Sequence, residues 1–191
     1  MDRFFAAHEI DWGTIGDFAD AAEQAALYTL AHRGIRGSRK QVVLAVKPPT
    51  TWKTTIASHG LPLWMVGECR DTRTLFLSED IETAKDKFRP VREAFEDNED
   101  YLSFYGRMRP ARADEDDDED EPDKKKRRLW SDSKLTVIRP GRYQEPTCRV
   151  QGIRNFPTGA HYELIVIDDP HAHASIAFMD EMWKTIEAAY H

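Results

Sequence analysis

Short apolar runs set between helical patterns constrain this chain more than any other feature. QVVLAV occupies residues 41–46, TLFLS residues 74–78, and ELIVIDDP carries four apolar residues at 164–167. Runs this short and this rich in Val, Ile, Leu and Phe read as buried strands rather than helices. KLTVIRP and PTCRVQGI, starting at Lys134 and Pro146, add two more strand-like stretches. Between the strands lie segments with the other period. DFADAAEQAALYTLAHR, residues 17–33, is alanine-rich and suits a helix. Ile81, Ala84, Phe88, Val91 and Phe95 recur at spacings of three and four, which is one face of a helix. Strands alternating with helices imply an α/β domain with a mainly parallel sheet flanked by helices.

Local signals refine this outline. Ser78 is placed to cap the start of the helix that begins near Ile81. Pro90 falls inside that helical pattern and predicts a kink or two abutting helices. A helix beginning at Thr54 is expected to bend or end at Gly60 and Pro62. The last residues, ASIAFMDEMWKTIEAAYH, suit an amphipathic helix, and no internal repeat is present. The reading is one domain over residues 1–191, with an N-terminal helical region at 1–40 and a charged insertion at 112–129.

The chain has 191 residues and a formal net charge of −7, of which the acidic and basic runs inside that insertion, nine acids against five bases, contribute −4. DEDDDEDEPD at 114–123 is followed directly by KKKRR at 124–128, and the remainder is close to neutral. Such a segment cannot bury a core and reads as a disordered, solvated insertion. PDKKKRR also resembles a nuclear localisation signal, and its bases are a possible contact for DNA phosphates. Two cysteines, Cys69 and Cys148, are too few for a disulfide framework or a metal cage, which suits a reducing compartment. No apolar run reaches the roughly 18 residues of a membrane span, and the N-terminus does not read as a secretory signal. The expectation is a cytoplasmic protein. Trp64, Trp130 and Trp183 are expected in the core or at an interface.

Two segments carry chemistry. KPPTTWKTT follows the strand at 41–46 and precedes a possible helix. Phosphate binding needs backbone N–H groups curled at a helix start, a lysine for the terminal phosphates and a hydroxyl for Mg²⁺. Lys53 and Thr54 supply the last two in the right order. Glycine is absent from both usual places, Lys47 and Trp52. The second segment is ELIVIDDP, a strand ending in Asp168 and Asp169. A carboxylate at a strand end beside such a loop can hold Mg²⁺, and its neighbour can orient the attacking water. Asp-Asp-Pro also suits a plain polar turn.

Four stretches together resemble a family. They are VVLAVKPPTTWKTT, RTLFLSEDIETAKDKFRPVREAFE, WSDSKLTVIRPGRYQEPTCRVQGI and TGAHYELIVIDDPH. The series is similar to the ATPase domain of the large terminase subunit of tailed bacteriophages, over about residues 41–190. The resemblance implies a P-loop NTPase-type fold and the use of ATP and Mg²⁺. It makes Lys53 the phosphate lysine, with Pro48, Pro49, Thr50, Thr51, Trp52, Thr54 and Thr55 completing the nucleotide-binding stretch. It makes Thr54 and Asp168 the Mg²⁺ ligands and Asp169 the catalytic carboxylate. It implies double-stranded DNA, a small terminase subunit and a portal protein as partners, a homo-oligomeric ring, and the host cytoplasm if the chain is phage-encoded. An arginine donated by a neighbouring subunit belongs to the family's mechanism, and Arg139, Arg149 and Arg154 are the candidates. Trp52 stands where the family usually has a small residue, and Pro49 where it often has arginine. Weak nucleotide binding with slow hydrolysis or none is the expectation. Family members continue into a further strand and then a nuclease domain. Neither fits within this chain, so the ATPase core is expected to be incomplete at its C-terminal side and DNA cutting absent.

Two other classes compete. DDPHAH places Asp168, Asp169, His171 and His173 together, with His161 nearby, as ligands of a metal-dependent hydrolase. The third class is a terminase remnant that no longer hydrolyses ATP and serves as an interaction protein.

Overall fold

The computed structural model describes residues 6–8, 15–32, 41–43, 54–110, 130–155, 157, 159–169 and 184. The described elements are β1 (Ala6–His8), α1 (Ile15–Ala31), β2 (Gln41–Val43), a π-helical turn (Thr55–Gly60) running into α2 (Leu61–Glu68), β3 (Thr74–Ser78), α3 (Ile81–Asp97), α4 (Glu99–Tyr105), β4 (Lys134–Leu135), β5 (Cys148–Gly152), a 3₁₀ turn (Ile153–Asn155) and β6 (Leu164–Ile167). The protein is α/β, with a four-stranded mixed sheet flanked by helices. The charged insertion, residues 44–53 and all of the expected final helix except Lys184 lie outside the described residues.

The sheet order is β4-β5-β3-β6. β3 pairs in parallel with both β5 and β6, while β4 runs antiparallel to β5. The expectation of a mainly parallel sheet thus holds for its three longer strands, and the edge strand departs from it. Parallel neighbours need helices on the sheet faces, so their strands are buried. Every residue of β3 is buried. β1 and β2 form a separate parallel pair joined through α1, so the N-terminal region at 1–40 contains a strand, β1, besides its helix, and it pairs with the start of the strand expected at 41–46.

Period-two alternation sorts the strand residues onto two faces. Phe76, Val150 and Val166 point to the α3 side and join Phe88, Val91, Phe95, Val66 and Met108 in the main core. Leu75 and Leu77 point the other way, with Tyr162. The stripe read from the sequence is the buried stripe of α3: Ala84, Phe88, Val91 and Phe95 are all buried, whereas Ile81 at the first position is exposed. Trp130 packs against the same core and its indole N–H donates to Glu96.

Three local expectations change. α3 runs unbroken through Pro90 from Ile81 to Asp97. Pro90 sits on the exposed face, where water can satisfy the carbonyl its ring deprives of a partner, and burial of the opposite face keeps the helix whole. Asp80, not Ser78, caps α3: its carboxylate accepts from the N–H groups of Glu82 and Thr83 at 2.8 and 2.9 Å. Pro62 does not end the helix at Thr54, because it falls at the start of α2, where a missing N–H costs little. Ahead of Pro62 the backbone forms the π-helical turn, in which the Leu61 N–H donates to the Ile56 carbonyl. β5 meets the start of α3 so closely that a Cβ at Gly152 would lie 3.1 Å from the Asp80 Cα, which explains the glycine there.

The end of the sheet where β3 and β6 begin is tied by ions. Arg73 donates to Glu163 through Nη2 at 2.5 Å and Nε at 3.1 Å, and to Glu145 through Nη1 at 3.2 Å. Burial works against the charge on Glu145, but the N–H of His161 and the Arg73 guanidinium outweigh it and hold its carboxyl below the ordinary value of 4.5. A depressed folded pKa contributes stability above the unfolded value and loses it as pH falls through the folded one. Glu145→Gln is therefore expected to lower stability at neutral pH, with the gap to wild type closing as pH falls below 4.5. Urea midpoints measured across pH check this; a gap that stays constant through the acid range contradicts it.

Candidate functional site

The carboxyl ends of β3 and β6 gather the polar groups that the sequence points to. Asp168 follows β6 and keeps the parity of Val166, so its side chain faces the helices that cover that side of the sheet. Its N–H continues the strand pairing by donating to the Leu77 carbonyl at 3.0 Å. Ser78, on the same face of β3 as Phe76, donates its hydroxyl to the Asp168 carbonyl at 2.9 Å. The serine expected to cap α3 thus holds the acid pair in place instead.

The helix after the loop reaches the same point. Thr54 has helical dihedrals and opens it, and Thr55 is the first residue of the π turn. Ser58, 1% exposed, donates to Asp168 Oδ2 at 3.0 Å. Ser58 thereby sets the π turn that follows Thr54 against the first carboxylate. Pro48, Pro49, Thr50, Thr51, Trp52 and Lys53 lie outside the described residues, as do His171, His173 and Trp183.

A residue that sequence reasoning missed completes the cluster. Lys87, on α3, places its ammonium 3.6 Å from Asp168 Oδ2, 3.1 Å from Asp169 Oδ2 and 3.2 Å from the Asp168 carbonyl oxygen. The Lys87 carbonyl in turn accepts from His59 Nε2 at 2.9 Å. Lys87 lies three residues after Ala84 and four before Val91, at the border of the apolar stripe, where a lysine stem can pack while its head finds a charge. That border position was the one signal in the sequence. Asp169 has φ of 45°, the left-handed region in which Asp is tolerated better than most side chains. This turns its carboxylate to the same ammonium as Asp168.

Other candidates fall elsewhere. His161 precedes β6, at the far end of the strand from Asp168, and its N–H donates to Glu145. Among the described residues no group of three or more His, Cys, Asp and Glu could hold a metal ion. Cys148 is buried, and burial pushes its thiol far up, so it is not a nucleophile. Arg139 donates to the Glu145 carbonyl at 2.6 Å, away from the acid pair, and Arg149 lies within β5 opposite Leu75. Arg154, just past the carboxyl end of β5, is exposed. Among the described residues no helix is long and apolar enough to cross a membrane.

Set against models of protein families, curated proteins and solved structures, the chain matches none of them.

Proposed function

We propose that this chain is a nucleotide-binding unit of the P-loop type, similar to the ATPase domain of a large terminase subunit. The observation that carries the reading is the 3.0 Å hydrogen bond from Ser58 to Asp168. It ties the helix that follows the candidate phosphate loop to the acid pair, as a shared site requires. Residues 48–55 would cradle the phosphates, with Lys53 on the terminal ones. Thr54 and Asp168 are hard oxygen donors of the kind Mg²⁺ takes, and Asp169 would orient water. Mg²⁺, when bound, neutralises charge on the phosphate oxygens.

In this reading Arg154 is the best placed of the three arginines to serve a neighbouring subunit, because it is exposed at the carboxyl end of the sheet. The family's further strand also has a place to lie: among the described residues β6 pairs on one edge only, with β3. The biological role would be that of the family, packaging double-stranded DNA into procapsids as a ring together with a portal and a small subunit. Trp52 in the loop suits weak binding and slow turnover.

Calorimetric titration with ATP and Mg²⁺ tests the proposal. Weak binding by wild type, or binding only after Trp52→Gly, supports a phosphate loop. No heat from either protein rejects it.

A further inference from the structure

The ammonium of Lys87 stands among the oxygens that the proposed site would offer a metal. It contacts both carboxylates and one carbonyl of the acid pair. The pairing with Asp168 is sheltered: the side chains of Lys87 and Asp168 are 22% and 12% exposed, so screening by solvent is reduced there, whereas Asp169 is 56% exposed and its contact is the weaker one. Adjacent residues of the π turn brace both partners, Ser58 through the Asp168 carboxylate and His59 through the Lys87 backbone.

We infer that Lys87 competes with a divalent cation for Asp168 and Asp169. The inference rests on the nucleotide reading above and adds a control to it. A lone dication approaching Asp168 meets an ammonium already there, and the repulsion weakens its binding. A metal carried by a polyphosphate arrives with excess negative charge. The flexible lysine can then exchange a carboxylate oxygen for a phosphate oxygen, and the acid pair is released to the metal. Metal alone is held poorly, and metal with nucleotide is held well.

The test is a titration of the full chain with Mn²⁺, free ion being read by electron paramagnetic resonance, with and without ATP, the Mn²⁺ held by ATP in a protein-free titration being subtracted. Lys87→Met is expected to bind Mn²⁺ alone about tenfold more tightly than wild type, and Lys87→Arg to behave as wild type. Adding Asp168→Asn to Lys87→Met should remove the gain. Lys87→Gln provides a second neutral variant should Lys87→Met not fold, with thermal melts confirming that the variants compared are native. Equal or weaker Mn²⁺ binding by the folded neutral variant, or no Mn²⁺ binding by either protein, overturns the inference. If ATP raises Mn²⁺ affinity equally in wild type and the neutral variant, the nucleotide reading stands and the competition falls. If the neutral variant gains Mn²⁺ affinity while ATP changes nothing in any protein, the competition stands and the nucleotide reading falls.

Discussion

Phe88→Ala is expected to cost about 3–5 kcal/mol of folding stability. The ring is 1% exposed and sits on Phe76 of the central strand, with centroids 4.8 Å apart and planes tilted by 56°. Around it lie Val66, Ala84, Val91, Val150 and Val166, drawn from α2, α3, β5 and β6. Truncation removes the transfer free energy of the ring and leaves a cavity that five elements, β3 included, would have to close together. Domains of this kind have about 5–15 kcal/mol in total, so the variant should be close to unfolding. Urea denaturation followed by circular dichroism measures the effect as a fall in midpoint at unchanged slope. A loss below about 1 kcal/mol would show that this face of α3 is not what holds the sheet. The prediction bears on the site as well, because Lys87 is the preceding residue and reaches the acid pair only while α3 lies on β3.

The second large effect concerns chemistry rather than folding. Under the proposed reading, Asp168→Asn is expected to reduce Mg²⁺-dependent ATP hydrolysis by roughly 100-fold, the scale of losing a metal-held charge in the transition state. The fold should be little affected. The Asn side-chain oxygen can still accept from Ser58, and Asp169 remains as a partner of Lys87. Initial rates of phosphate release, measured beside a thermal melt, separate the two effects. Unchanged hydrolysis in a folded variant would remove Asp168 from the mechanism. A melt that collapses would make its bond to Ser58 structural. Wild-type turnover is expected to be slow because of Trp52, so the comparison can be made on Trp52→Gly if that change restores nucleotide binding.

Much of this architecture is written locally. β3 and β6 follow from short apolar runs, β5 from a strand-like stretch, the buried face of α3 from a period of 3.6, and the position of Asp168 and Asp169 from the apolar run before them, all within a few residues. Burial reinforces those patterns, which is why they survive in the structure. The structure departs from local preference where distant packing outweighs it. Pro90 would break an isolated helix, yet α3 stays whole because Phe88, Val91 and Phe95 are buried beside it. Ser78 has the chemistry of a cap, yet its strand places it against β6, and Asp80 takes the cap.

The sequence by itself determined the alternation of strands and helices, the buried face of α3, and an acid pair at the end of a strand. Only the tertiary structure decided what surrounds that pair. Ser58 is 110 residues from Asp168 along the chain and Lys87 is 81. No local pattern encodes such contacts. They arise because β3 and β6 pair in one register and because the π turn and α3 cover the same face. Local propensity selects each element, whereas the burial of faces against one another selects which side chains meet.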